Sequence, residues 1–260
     1  MSTLFLKKIF FLEWIFFWKI SSRRDKMEIE KNKGGNCMVW NRMDLKNFAK
    51  ESMRRNFGAC VLVAFLLSLI LGLDISSTSR LEELNLYVPD GVTVSVKWIT
   101  LLISILIGNV LTVGCCRFFV ENREYQAPVS RVFHGFQGGH YVNTVWIMFL
   151  RDVKILLWTL LLIIPGIIKT YEYRMVPYIV ADQPDIPAGE AFAISREMMM
   201  GQKLEAWILD ISFIGWWLAA SFTCGLAGIF WTVPYVHAAN AELYAVLREN
   251  WMRSHSMGPS

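Results

Sequence analysis

Two stretches of this chain run without a charge for longer than a soluble fold requires. Phe57–Leu73 is 17 residues and Trp98–Cys116 is 19. At 1.5 Å of helical rise per residue each can cross a hydrocarbon core of about 30 Å, the first only just. Lipid offers no hydrogen bonds, so the backbone must satisfy itself within each segment, which means a helix. Composition agrees: 54% of residues are hydrophobic and 18% charged, against about 25% charge in soluble domains. Together these exclude an ordinary soluble enzyme, a disordered chain and a secreted disulfide scaffold.

Two longer apolar stretches follow. Val142–Ala181 is interrupted by Arg151, Asp152, Lys154, Lys169, Glu172 and Arg174, and Ala206–Val246 contains Asp210, His237 and Glu242. Ile164-Pro165-Gly166 breaks the first and Thr223-Cys224-Gly225 the second, because proline removes a backbone donor and glycine tolerates a turn. Beyond each break stands a near-repeat, Val176-Pro177-Tyr178 and Val233-Pro234-Tyr235. Pro165, Gly166, Pro177, Gly225 and Pro234 are therefore the expected helix breaks or hinges. Two hairpins would put the repeats in one orientation. The expected fold is an all-α, polytopic transmembrane helical bundle with six crossings near 57–73, 97–119, 142–164, 166–181, 204–222 and 225–246. The alternative has five, with 142–154 at the surface and 155–180 forming one kinked span.

Lys and Arg concentrate on one side of this arrangement. Residues 38–56 carry Arg42, Lys46, Lys50, Arg54 and Arg55, and the later loops of that side add Arg117, Arg123, Arg131, Arg196, Lys203, Arg248 and Arg253. The loop after the first crossing has only Arg80 and Lys97. The positive-inside rule then makes the basic side cytoplasmic and places both termini there. Two cytoplasmic segments have amphipathic spacing. Asp44–Asn56 aligns Leu45, Phe48, Ala49 and Met53, and Ala188–Met200 aligns Ala191, Phe192, Ser195 and Met198. They read as covers over the cytoplasmic ends of the spans, or as lipid-docking helices. Pro187 suits a first helical position and Gly201 a stop.

The formal charge of +4 comes from residues 1–37, which hold eight Lys/Arg and four Asp/Glu. The remainder is balanced, which argues against a nucleic-acid partner. The codons of Lys33-Gly34-Gly35 can spell a ribosome-binding sequence just before Met38. We expect 1–37 to be an N-terminal extension from a mis-assigned start, 38–250 a single transmembrane helical domain, and 251–260 a short polar tail. Cys60, Cys115, Cys116 and Cys224 lie inside apolar runs, where a thiol acts as a small hydrophobe.

From Met38 onward the chain resembles the bacterial integral membrane proteins grouped as domain of unknown function 975. The residues that carry the likeness include Asp44-Leu45-Lys46, Gly108-Asn109-Val110-Leu111, Leu150-Arg151-Asp152 and Ile163-Ile164-Pro165-Gly166. Further along stand Met175-Val176-Pro177-Tyr178, Ser195-Arg196-Glu197-Met198 and Ala241-Glu242-Leu243-Tyr244. The chain departs from the pattern at Ile186-Pro187, where a capping serine is expected; Asp185 stands near enough to cap instead. The resemblance implies a multi-helix fold in the bacterial cytoplasmic membrane and implies no activity.

Charges at membrane depth cost about 2.5–3.5 kcal/mol each on insertion scales, so they are the candidate site: Arg151, Asp152, Asp210, His237 and Glu242. Successive helical residues diverge by about 100°, so Arg151 and Asp152 cannot fully face each other, and Asp152 needs a partner from another helix or from water. No catalytic motif, metal cluster or cofactor loop is present in the sequence. The expectation is a non-enzymatic scaffold or accessory subunit that binds lipid, a membrane protein partner or a second copy of itself. The alternative is a small transporter or export-permease component with an intramembrane polar site.

Overall fold

The computed structural model describes residues 40–76, 98, 102–137, 139–223 and 225–256, without the side chains of 71–76. The expectations for 1–37, for the loop at 77–97 and for Cys224 lie outside the described residues. Among the described residues every regular element is helical. One helix, Ser104–Glu121, is by itself long and apolar enough to cross a membrane. The pair Arg42–Arg55 and Phe57–Ile70 would add a second if its 100° bend is taken as a broken span.

Helix α1 (Arg42–Arg55) begins on Asn41, whose side chain accepts from the Met43 amide. Leu45, Ala49 and Met53, four residues apart, are buried against the C-terminal helix. Phe48, expected on that face, is 58% exposed; it sits at the edge of the stripe, and the buried positions go to Ala49 and Ser52. The chain turns at Asn56, whose amide donates to Asn122 Oδ1 (2.8 Å) and to the Ala127 carbonyl (2.9 Å). Helix α2 (Phe57–Ser76) departs from there.

Helix α3 (Asn109–Glu121) continues from the π turn Ser104–Gly108. A 3-10 segment, Val129–Phe136, returns along it. The two approach so closely that a Cβ on Gly114 would stand 1.7 Å from the Val132 carbonyl oxygen.

Helix α4 (Tyr141–Leu161) is continuous through Arg151, Asp152 and Lys154. The chain then reverses at Leu162 (φ −158°, ψ 134°), just before the expected break at Ile164-Pro165-Gly166. Pro165 falls in the first turn of α5 (Ile163–Glu172), where its missing amide would have no helical partner anyway. Gly166 lets α5 fold back on α4: its Cβ would come within 2.7 Å of Thr159 Cα. Residues 155–180 are therefore not one kinked segment, which removes the five-crossing alternative in that form.

A turn at 173–175 leads to α6 (Val176–Asp182), which carries Pro177 in its first turn and packs on α3. Helix α7 (Ala188–Met198) starts at Pro187 with no side-chain cap. Asp185 pairs with His140 instead of capping. Gly201 has φ +71°, the left-handed stop that the sequence suggests.

Helices α8 (Lys203–Ile211) and α9 (Ile214–Phe222) form the first leg of a second hairpin. Gly225 has φ +87° and donates to the Ala220 carbonyl at 2.8 Å, which closes the end of α9. Thr223 Oγ1 then accepts from the Ala227 amide and starts the return leg. That leg winds through a π turn, Gly228–Thr232, into α10 (Val233–Ser256). Pro234 lacks the donor that a regular helix would use there, and the widened turn just before it absorbs the defect. Both near-repeat prolines thus follow an irregular turn on the second leg of a hairpin.

Candidate functional site

One polar cluster joins α5 and the turn after it to α8 and α10. The turn between α5 and α6 presents Arg174, whose guanidinium donates to both Asp210 carboxylate oxygens at 2.7 Å. It also donates to Asn240 Oδ1 on α10 at 2.6 Å. The Tyr171 hydroxyl donates to Asp210 Oδ2 at 2.8 Å. Bidentate, charge-assisted pairs of this kind fix geometry as well as charge. The Arg174 side chain is 15% exposed and that of Asp210 35%.

A second cluster lies where α3, α6 and α10 meet. Arg117 reaches Glu121 (2.6 Å) and Asp182 (3.1 Å). Asp182 also takes Arg248 (3.3 Å) and the Tyr244 hydroxyl (2.7 Å), and Glu121 takes Arg131 (2.9 Å) and the Tyr125 hydroxyl. Burial, with Arg117 and Arg131 close by, holds the imidazole of His134 below its ordinary value.

The five expected site residues fall in different places. Asp152 does find a partner on another helix, Asn109 Nδ2 at 3.1 Å. It also meets Arg151 at 3.1 Å, although the two are adjacent in sequence; the length of the arginine side chain overcomes the angular separation. Asp210 belongs to the Arg174 cluster. Glu242 pairs with Arg123 of the loop after α3 at 2.9 Å. The His237 ring stacks on Phe119, with centroids 5.5 Å apart. Among the described residues no two of Asp152, Asp210, His237 and Glu242 share a hydrogen-bond or ion-pair partner. Asn240 ties α10 to Arg174 but brings neither His237 nor Glu242 into that cluster.

Tyr171, Asn109 and Asp182 are participants that the sequence reading did not single out. Asn109 had a visible signal, an amide inside a charge-free run, and Arg117–Glu121 has the i, i+4 spacing of a helical pair. Nothing local marks Asp182, since its partners come from α3 and α10. Among the described residues no group of three or more His, Cys, Asp or Glu side chains is placed to hold a metal ion. Cys60, Cys115 and Cys116 are buried and free. Chemically, both clusters hold carboxylates whose charge is already answered by arginine within the same chain.

Residues 159–251 match the family described as Protein of unknown function (DUF975), the family that the sequence resemblance named. The matched region contains every member of the Arg174–Asp210 cluster and leaves out Arg151 and Asp152. No curated protein and no solved structure matches the chain.

Proposed function

We propose that this is a multi-pass integral protein of the bacterial cytoplasmic membrane, acting as a non-enzymatic scaffold or accessory subunit that binds lipid or a membrane partner. Its apolar helices lie within the four apolar stretches of the sequence, and both termini are cytoplasmic. Membrane residence draws support from large apolar side chains left uncovered by protein, above all Phe222 (87% exposed) and Leu160 (74%) at the two hairpin tips. Soluble monomers rarely leave such patches open.

The observation that carries the scaffold reading is the bidentate Arg174–Asp210 pair. Its charges are spent on holding α8, α10 and the α5–α6 turn together, and an acidic group saturated in this way is poorly suited to take up a cation. The test is reconstitution into sealed proteoliposomes. The protein should resist alkaline carbonate extraction and leave proton and potassium gradients standing. Asp210→Asn should lower the folded fraction and change no flux. Gradient collapse by the parent protein, abolished by Asp210→Asn at equal folded content, would establish the transporter reading instead.

A further inference from the structure

We infer that the two helical hairpins are re-entrant: they enter one leaflet from the cytoplasmic side, turn within the acyl chains and leave on the same side. The inference rests on the membrane reading above and adds the depth and direction of the legs.

Charged groups mark where each hairpin leaves the polar zone. In the second hairpin the marker comes from α1, a helix rich in Lys and Arg. Lys46 Nζ donates to the Ser212 carbonyl at 3.1 Å and lies 4.4 Å from the Phe213 ring centroid. Lys50 lies 5.7 Å from the centroid of Tyr235. An ammonium of α1 beside each leg, at Ser212 and at Tyr235, places that level at the headgroups. From Ser212 to Thr223 is 11 residues, and from Gly225 to Tyr235 is 10. At 1.5 Å per residue the tip therefore lies roughly 15 Å beyond the ammonium groups.

The first hairpin has the same construction from different residues. Lys154 Nζ is 3.5 Å from the centroid of Phe192 on α7, and Lys169 Nζ is 2.8 Å from Glu172. Both ammonium groups also face the Tyr173 ring, at 5.8 and 5.6 Å. They stand on opposite legs of the hairpin, 8 and 7 residues from Leu162, so this tip reaches roughly 11 Å beyond them. A hydrocarbon core is about 30 Å thick, so neither hairpin reaches the far headgroups.

The tips are chemically suited to stopping there. Leu160, Leu161 and Ile163 are exposed at the first and Phe222 and Leu226 at the second. A turn emerging into the opposite headgroups would present these side chains to water, whereas one ending in mid-membrane presents them to acyl chains. Two backbone N–H groups at the second turn are satisfied locally, Gly225 by the Ala220 carbonyl and Ala227 by Thr223 Oγ1, as a turn in hydrocarbon requires. In contrast the helix Ser104–Glu121, with 18 residues, is long enough to cross at roughly 27 Å.

Nitroxide depth measurement tests the inference. Leu160→Cys, Phe222→Cys and the α1 control Arg54→Cys are each labelled in a Cys37→Ser/Cys224→Ser background, where Cys60, Cys115 and Cys116 are buried. The full-length protein is then reconstituted into phosphatidylglycerol/phosphatidylethanolamine vesicles. Labels at 160 and 222 should collide readily with oxygen and little with a water-soluble nickel chelate, at depths of roughly 11 and 15 Å; the label at 54 should do the reverse. Nickel contact at 160 and 222 as strong as at 54, in protein that stays with the vesicles, would show complete crossings and overturn the inference while leaving membrane residence intact. Protein that fails to stay with the vesicles would overturn the membrane reading itself.

Discussion

Helix α3 and helix α9 are both apolar, yet they shelter their side chains in different surroundings. Val110, Leu111, Val113, Phe118 and Phe119 of α3 are buried by other parts of the chain. In α9, Trp216, Trp217, Leu218 and Phe222 are exposed. Hydropathy measures how much a side chain gains by leaving water; it says nothing of whether protein or lipid replaces the water. Glycine registers the difference. Gly114 in α3 touches the backbone of the segment at 129–136, while a Cβ on Gly215 in α9 would meet nothing within 4 Å.

The largest expected effect breaks the packed side of that comparison. Gly114→Ala forces a Cβ onto a backbone carbonyl and should cost about 3 kcal/mol or more in a detergent unfolding titration. Gly215→Ala should be neutral or stabilise by about 0.5 kcal/mol, from helix propensity alone. Equal losses at both positions would mean that α9 is packed against protein after all.

Next in size is the Arg174–Asp210 tie. Removing one partner of a buried pair costs about 3–5 kcal/mol, and the partial exposure of Asp210 reduces this to about 2 kcal/mol. Arg174→Ala and Asp210→Ala should each lose that much, and the double variant little more than either. A double-mutant cycle checks this, and strict additivity would dissolve the cluster as an energetic unit.

Smaller still is truncation at a hairpin tip. Phe222→Ala should change unfolding in detergent by about 0.5 kcal/mol or less, because it touches little protein. Phe118→Ala, fully buried in α3, is the control and should cost several times more. The smallest effect is titration of His134. Its folded value lies below the ordinary one, so the unfolded chain binds the proton more readily. Stability should therefore fall as pH drops through about 6.5, the unfolded value. Unfolding midpoints at pH 7.5 and 5.5 should differ less in His134→Gln than in the parent protein.

The helical class, the two hairpins and the turn at Gly225 are legible in the sequence, since charge-free runs and helix breakers act locally. The exact reversal at Leu162 is not: proline marks the region, but it settles into the first turn of α5, where it is tolerated. Phe48 misleads because a hydrophobic side chain at the edge of a stripe has the same periodicity as one at its centre. In the polar site the charged residues are visible and their partners are not. Asp210 could be picked out as an acid inside an apolar run, but its pairing with Arg174, 36 residues earlier, depends on how α5, α6 and α8 are brought together. Asp182 is hidden for the same reason.

The central claim, that lipid rather than protein covers the hairpins, is tested most directly by hydrogen–deuterium exchange of the full chain in nanodiscs. Peptides covering 155–168 and 214–230 should exchange as slowly as those of α3, despite side chains that no part of the protein covers. Exchange at the hairpins within seconds, with α3 still protected, would mean that water reaches them and would contradict the account.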